Sequence, residues 1–424
     1  MIGWEYPPEI TGGLAIACRG LARALAARGH NVHFLIPRLS GGAFEDQGVR
    51  VFSPANFTYT DVEKEEIGEW WEAAPMTEQA SAYASIPEDQ RSAASLREEA
   101  REIHGMIAAQ LRGGYGDHIY QEVEHFASYA RVIARRGNYD MIHAHDWMAY
   151  PAGIRARLEI NRPLVCHVHA TEFDRSGDHV NQFIYDMERY AFHFCDRIVT
   201  VSNYTKNTLV HRYAVDAAKV DPVHNAVEFE LPDDLRHRRK IVEERPIKDK
   251  IVLFLGRITF QKGPDYFVRA ARKVIDQVKN VRFVMVGTGD MYPRMIEMAA
   301  DLGVGKYFHY TGFLNREEVR RIYAMSDLYV MPSVSEPFGI SPLEAMLHGV
   351  PVIVSRQSGV SEVISNCIKV DFWDVDEITR SIVEVLTRDE LSSGLTNGAE
   401  SEVRQITWSQ SAARMETVYD TIGG

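Results

Sequence analysis

Short apolar runs alternate with segments of helical spacing along almost the whole chain, and no other feature restricts the possible folds as much. In the first half, NVHFLI (31–36), DMIHAH (140–145), RPLVCHV (162–168) and RIVTVS (197–202) read as buried parallel strands. Between them lie helical patterns such as Leu14, Cys18, Leu21 and Leu25, closed by Gly29 as a C-cap. The second half repeats the rhythm with IVLFLG (251–256), VRFVMVG (281–287), DLYVMP (327–332) and PVIVS (351–355). Helices are expected there near 264–277, 290–302, 315–325 and 375–387. Strands separated by helices imply βαβ units, parallel sheets and right-handed crossovers. The expected fold class is α/β, with two doubly wound, Rossmann-like domains facing across a cleft.

Two stretches break the rhythm. Residues 57–115 are charged, poor in strand-like runs and contain Trp70 and Trp71; they read as a helical insertion covering the first domain. Residues 230–250 have a linker composition, which puts the domains at 1–230 and 231–404, joined near residue 235. A chain of 424 residues has room for both. Its net charge of −12 argues against nucleic acid as a partner and against docking on an anionic membrane. No run of 18 apolar residues occurs, so stable membrane insertion by a helix is not expected. The opening MIGWEYPPEI lacks the basic and apolar regions of a secretory leader, and Met1 already stands inside what should be the first strand. Either that strand is short or the true start lies upstream. Cys18, Cys166, Cys195 and Cys367 have no metal-like spacing and read as reduced thiols of a cytoplasmic protein.

Ligands of open α/β sheets bind beyond the carboxyl ends of the strands. After the first strand, Gly12 and Gly13 open a helix and would let backbone approach a diphosphate or a sugar; an ordinary turn would carry the same pair. In GRITFQKGPD (256–265), Arg257 and Lys262 flank a helix start, as in a phosphate site or as two solvated bases. GTGD (287–290) supplies Gly287, and SRQSGVSEVI (355–364) offers the amides of Ser358, Gly359 and Val360. No Walker loop or dinucleotide fingerprint is present. EPFGISPLE (336–344) places Glu336 and Glu344 around Pro337, Gly339 and Pro342. Two HxH pairs, His143/His145 and His167/His169, could ligate a metal or simply pack on one face. Asp374-Val375-Asp376 reads as a helix cap before a metal string.

Together these segments resemble the retaining GT-B glycosyltransferases of family four over nearly the whole chain. The Glu-(seven residues)-Glu motif is Glu336 to Glu344, and the Arg-(four residues)-Lys pair is Arg257 and Lys262. IGWEYPPEITGGL and HAHDW (143–147) look like glycogen- and glucan-synthase-type members, and 405–424 is similar to the closing helix that packs back on the first domain. The resemblance implies that Glu336 faces the transferred sugar, Glu344 binds the ribose, Arg257 and Lys262 neutralise the diphosphate, and His169 lies against the sugar. Gly12, Gly13, Gly287, Phe338, Gly339 and Ile340 join the donor site, and YTGFL (310–314), with Gly312 and Phe313, is similar to the loop that reads the base. It further implies no metal or cofactor, a UDP- or ADP-hexose donor, glucose foremost, and a sugar or glucan acceptor.

The first loop departs from bacterial glycogen synthases, which have Lys-x-Gly-Gly where this chain has Ile10-Thr11-Gly12-Gly13; those enzymes also lack the second glutamate. A GT-B epimerase or hydrolase, or a histidine-based metal hydrolase, are the alternatives. Glu172, Asp174 and Arg175 in HATEFDRSG (169–177) offer either acceptor contacts or structural support.

Overall fold

The computed structural model describes residues 1–9, 12–73, 119–228, 238–245 and 248–423. The first sheet contains β1 (Val32–Leu35), β2 (Phe44–Asp46), β3 (Val49–Phe52), β4 (Ile142–His145), β5 (Leu164–Val168), β6 (Arg197–Thr200) and β7 (Val220–Pro222). Residues 1–3 stitch its two halves together, since Ile2 bridges both Leu35 and Ala144. Ile2 N donates to His143 O at 2.8 Å and Gly3 N to Leu35 O at 3.0 Å. The order across the sheet is therefore β2-β3-β1-(1–3)-β4-β5-β6-β7, with only β2 antiparallel.

The second sheet contains β8 (Lys250–Leu255), β9 (Val281–Val286), β10 (Phe308–Gly312), β11 (Leu328–Met331), β12 (Val352–Ser355) and β13 (Ile368–Val370), all parallel, in the order β10-β9-β8-β11-β12-β13. Both orders reverse direction once, and a doubly wound sheet opens its ligand crevice at that reversal. In the second sheet the reversal lies between β8 and β11, so the loops leaving them, which carry Arg257 to Lys262 and Ser333 to Glu336, share one crevice. In the first sheet it lies between residues 1–3 and β4, at the exit of His145.

Five strands have no counterpart in the sequence reading: β2, β7, β10 and β13 are short, partly exposed and without an apolar run, and the four-residue β3 is interrupted by exposed Arg50. Part of YTGFL, read as a loop, is thus the end of β10, paired with β9 through Tyr310 and Met285. Of the expected insertion, the helix Asp61–Ala73 is described, and 74–118 lie outside the described residues. Among the described residues no helix is long and apolar enough to cross a membrane.

The helix Trp408–Asp420 leaves the second domain and packs on the helix Gly13–Ala27 of the first. Ala412, Met415 and Val418 enter a core with Leu21, Leu25 and Phe34. The indole of Trp408 lies over Gly20, where a Cβ would fall 2.2 Å from its Cε2. Gly20→Ala should therefore lower stability by about 1–3 kcal/mol, seen as a lower urea midpoint. Gly394→Ala, with nothing within 4 Å of its Cβ, should be neutral or mildly stabilising because it only raises helix propensity.

Candidate active site

Beyond β8 the chain turns through Arg257 into a short 3-10 turn, Phe260–Lys262, capped by Gly263 at φ +62. A Cβ at Gly263 would lie 2.1 Å from the carbonyl oxygen of Pro332, so glycine lets this turn press against the exit of β11. There the Lys262 ammonium donates to a carboxylate oxygen of Glu336, a residue only 6% exposed. Ser333 Oγ donates to the same oxygen at 3.4 Å. Glu336 is held by backbone on both sides: its N donates to Gln357 O at 3.0 Å and its O accepts from Gly359 N at 2.9 Å. Gly339, at φ +96, leaves room for Glu336 Cγ, which lies 3.1 Å from where a Cβ would sit.

Glu344 lies on the helix Ser341–Leu347, where the Tyr323 hydroxyl donates to its Oε2 at 3.2 Å. Burial pushes its carboxyl up, against the pull of Arg316 and Arg320. The Arg257 side chain is exposed and makes no hydrogen bond or ion pair among the described residues, while its carbonyl accepts from Thr259 N at 3.0 Å. Phe338 is buried and Ile340 half-buried, whereas Phe313 stands 79% exposed after Gly312. Gly287 N donates to Gly312 O at 2.9 Å, and a Cβ on Gly287 would meet Gly256 O at 2.0 Å. That glycine is accounted for by the crossing of two strand-end loops. Gly13 begins its helix with nothing within 4 Å of its Cβ position, and Gly12 has only Glu5 Oε2 at 4.0 Å.

Across the cleft, β4 and β5 are in register at His145 and His167, and the four histidines form a block two rings wide and two deep. His143 Nε2 is hydrogen-bonded to His167 Nδ1 at 3.1 Å, and His145 Nδ1 to His169 Nε2 at 3.0 Å. The layers stack, His143 on His145 at 4.4 Å and His167 on His169 at 4.3 Å. Burial and mutual repulsion hold His143, His145 and His167 well below the usual imidazole range, and burial brings His169 to about 3.

Ligating atoms of His143, His145 and His167 do lie within 4.8 Å of one another, as do those of Cys18, His145 and His169. Imidazole lone pairs lie in the ring plane, however, and rings stacked at 14° and 22° aim them side by side and not at one centre. Four ring nitrogens are also occupied by the histidine–histidine bonds. The block is a packed, hydrogen-bonded stack whose ring planes do not converge on one centre.

Asp146, at φ +62, accepts from the amides of His169 (2.7 Å) and Ala170 (3.3 Å) and so fixes the loop that presents His169. Burial raises its carboxyl to about 6. Glu172 and Arg175 prove structural. Glu172 accepts from Asn181 N and the Ser176 hydroxyl, and Arg175 pairs with Glu188 at 3.1 Å. Asp174 closes a capping box with Thr171 and also reaches the other domain, where the Ser335 hydroxyl donates to it at 2.5 Å. That leaves the Tyr204 hydroxyl to donate to Ser335, at 3.0 Å.

Further contacts close the cleft beside Glu336. Ser202 Oγ donates to Pro337 O at 2.6 Å, and a Cβ on Gly359 would lie 2.5 Å from Ser202 Cβ. Glu362 accepts from the amides of Asn203 and Tyr204 and from His224. Glu228 accepts from Arg19 of the first domain at 2.7 Å and also from Arg316 of the second. Ser202, Glu362 and Asp146 stand inside RIVTVS, SRQSGVSEVI and HAHDW without any local signal that singles them out, and no motif marks Tyr204 or Ser335.

Two Rossmann-like domains meeting at the carboxyl edges of their sheets define the GT-B class. Residues 237–402 match the glycosyl transferases group 1 family, and residues 93–231 match glycosyltransferase family 4. An uncharacterized glycosyltransferase of Methanocaldococcus jannaschii is 29% identical, covering 99% of this chain and 97% of its own. Sucrose-phosphate synthase of Thermosynechococcus elongatus superimposes with a TM-score of 0.70 at 18% identity, covering 97% of this chain and 93% of that one. The Anabaena protein HepE, solved with UDP and glucose, gives 0.66 at 16% identity over 99% of each chain. At such identities these two structures show the shared fold. The two matched segments thus place glycosyltransferase family signatures in both halves of the chain, the family 4 model in the first and the group 1 model in the second.

The neutral histidine block carries a pH signature. Unfolded histidines bind a proton below about pH 6.5, while the folded block stays neutral to lower pH, so its stability is complete above that value and lost as pH falls. Asp146 near 6 and Glu188 near 7 act with the opposite sign, losing their contribution as pH rises. Comparison with His143→Phe isolates the first effect. Below pH 6 the wild-type unfolding free energy should fall more steeply than the variant's, by up to about 1.4 kcal/mol per pH unit. Urea titrations at several pH values measure this.

Proposed function

We propose that the protein transfers a hexose, glucose foremost, from a nucleotide diphosphate sugar to a sugar or glucan acceptor with retention of configuration, using protein cations and no metal. The observation that carries this reading is the Lys262–Glu336 pair at the crevice of the second sheet, with exposed Arg257 on the same loop. Lys262 and Arg257 take the diphosphate, and their charges stabilise it as it leaves. When Lys262 turns to phosphate, Glu336 is released to accept hydrogen bonds from sugar hydroxyls. Glu344 serves the vicinal hydroxyls of the ribose, which a carboxylate can accept together. His169 approaches the sugar from the first domain. The closed cleft excludes water, which favours transfer over hydrolysis. The complex of HepE with UDP and glucose supports UDP-glucose as donor, with an ADP-hexose the other candidate.

The test is nucleotide release from UDP-, ADP- and GDP-glucose, with glucose and malto-oligosaccharide acceptors, in Mg²⁺ and in EDTA. One donor should be consumed equally in both, and the first product should carry an α-linkage. Arg257→Ala should lower the rate by about 10²-fold or more. Free glucose or an isomerised sugar nucleotide in place of a linked product would identify the hydrolase or epimerase instead. Loss of activity in EDTA would contradict the metal-free reading.

A further inference from the structure

We propose that His145 is a positioning residue that fixes the tautomer of His169, so that His169 presents an Nδ1–H donor, and not a lone pair, to the sugar in the cleft. This rests on reading the cleft as the transfer site.

The inference starts from the bond between His145 Nδ1 and His169 Nε2, 3.0 Å long. Both rings are neutral, because burial holds their pKa values far below the working range. A neutral imidazole carries one proton, and the partner of one nitrogen decides the state of the other. Two arrangements are open. If His169 Nε2–H donates, His145 must carry its own proton on Nε2, and His169 turns a lone pair to the cleft. If His145 Nδ1–H donates, His145 Nε2 is bare and His169 carries its proton on Nδ1.

His145 Nε2 decides between them. It is completely buried and has no hydrogen-bond partner among the described residues. A buried N–H without an acceptor is the rarer and costlier defect in folded proteins, and an under-used acceptor is better tolerated. A thiol lies beside the two rings. Cys18 is fully buried, with its sulfur within 4.8 Å of nitrogens of His145 and His169. Burial together with Asp146 and Glu5 keeps it a thiol, a weak donor that suits a bare nitrogen. Phe34 stacks on His145 at 5.7 Å and His143 at 4.4 Å, which holds the plane of the ring. His169 is the partly exposed member of the block, and its Nδ1 has no hydrogen bond among the described residues. A donor there can meet a sugar hydroxyl oxygen or the ring oxygen, whereas a bare nitrogen could only accept from a hydroxyl.

The test has a spectroscopic and a kinetic arm. Nitrogen-15 NMR of histidine-labelled protein at pH 7, assigned with His145→Phe and His169→Ala, should show both residues protonated at Nδ1. Protonation of His169 at Nε2 would overturn the proposal without reference to activity. In kinetics, His145→Phe keeps the stack but removes the donor. It should lower kcat about tenfold or more with donor KM little changed, and cost almost nothing further when His169 is already alanine. His145→Asn, whose amide can stand in for Nδ1–H, should recover much of the loss. An equal cost of His145→Phe in both backgrounds would mean that His145 does not act through His169. If the wild type released no nucleotide from any sugar nucleotide, the transfer reading would fail while the NMR result still decided the tautomer.

Discussion

The ion pair between Lys262 and Glu336 is the interaction around which the second domain's crevice is built. Both side chains are largely withdrawn from water, at 22% and 7% exposure, and removing one partner of such a pair leaves an uncompensated buried charge. The surrounding loops hold it. Gly263 lets the lysine's turn lie on Pro332, Gly339 clears space for the glutamate, and Ser333 donates to the same oxygen. In the proposed reaction the pair links the two ends of the chemistry, because a diphosphate that draws Lys262 away would free Glu336 for sugar hydroxyls.

The first domain answers with a different device. Where the second offers charges, the first offers neutral imidazoles stacked in the dry end of a sheet, with only His169 partly open to the cleft. The edges are joined by Asp174 with Ser335, Ser202 with Pro337, and Glu362 with the start of the helix Asn203–Tyr213. Ser335 precedes Glu336 directly, and Asp174 sits on the short helix that follows His169. Closure therefore fixes the two halves of the site relative to one another.

Much of this was legible in the sequence, for physical reasons that also mark where legibility ends. Runs such as IVLFLG and VRFVMVG are buried on both faces, so hydrophobicity alone announces them. Phe308–Gly312 has no fully buried position, and Ile368–Val370 is three residues long, so neither stands out. Glu336, Glu344, Arg257 and Lys262 could be singled out because they sit among turn residues at strand ends. The HxH spacing indicated that each histidine pair shares a face, but only the register of β4 against β5 shows that the pairs interlock. Contacts between domains join residues 135 and 161 positions apart, from loops with no periodic pattern. Such pairs are specified by the closed arrangement of two sheets, which no local stretch encodes.

The central claim, that protein cations hold a nucleotide's terminal phosphate at Glu336's expense, is tested most directly by calorimetric titration. UDP and UMP would be titrated into the wild type and into Lys262→Met, with ADP and AMP as the second pair. The account predicts that one diphosphate binds about 10²-fold more tightly than its monophosphate, a gap near 2.7 kcal/mol, and that the gap shrinks strongly in Lys262→Met. Equal affinity for diphosphate and monophosphate, or a gap untouched by loss of the lysine, would contradict it.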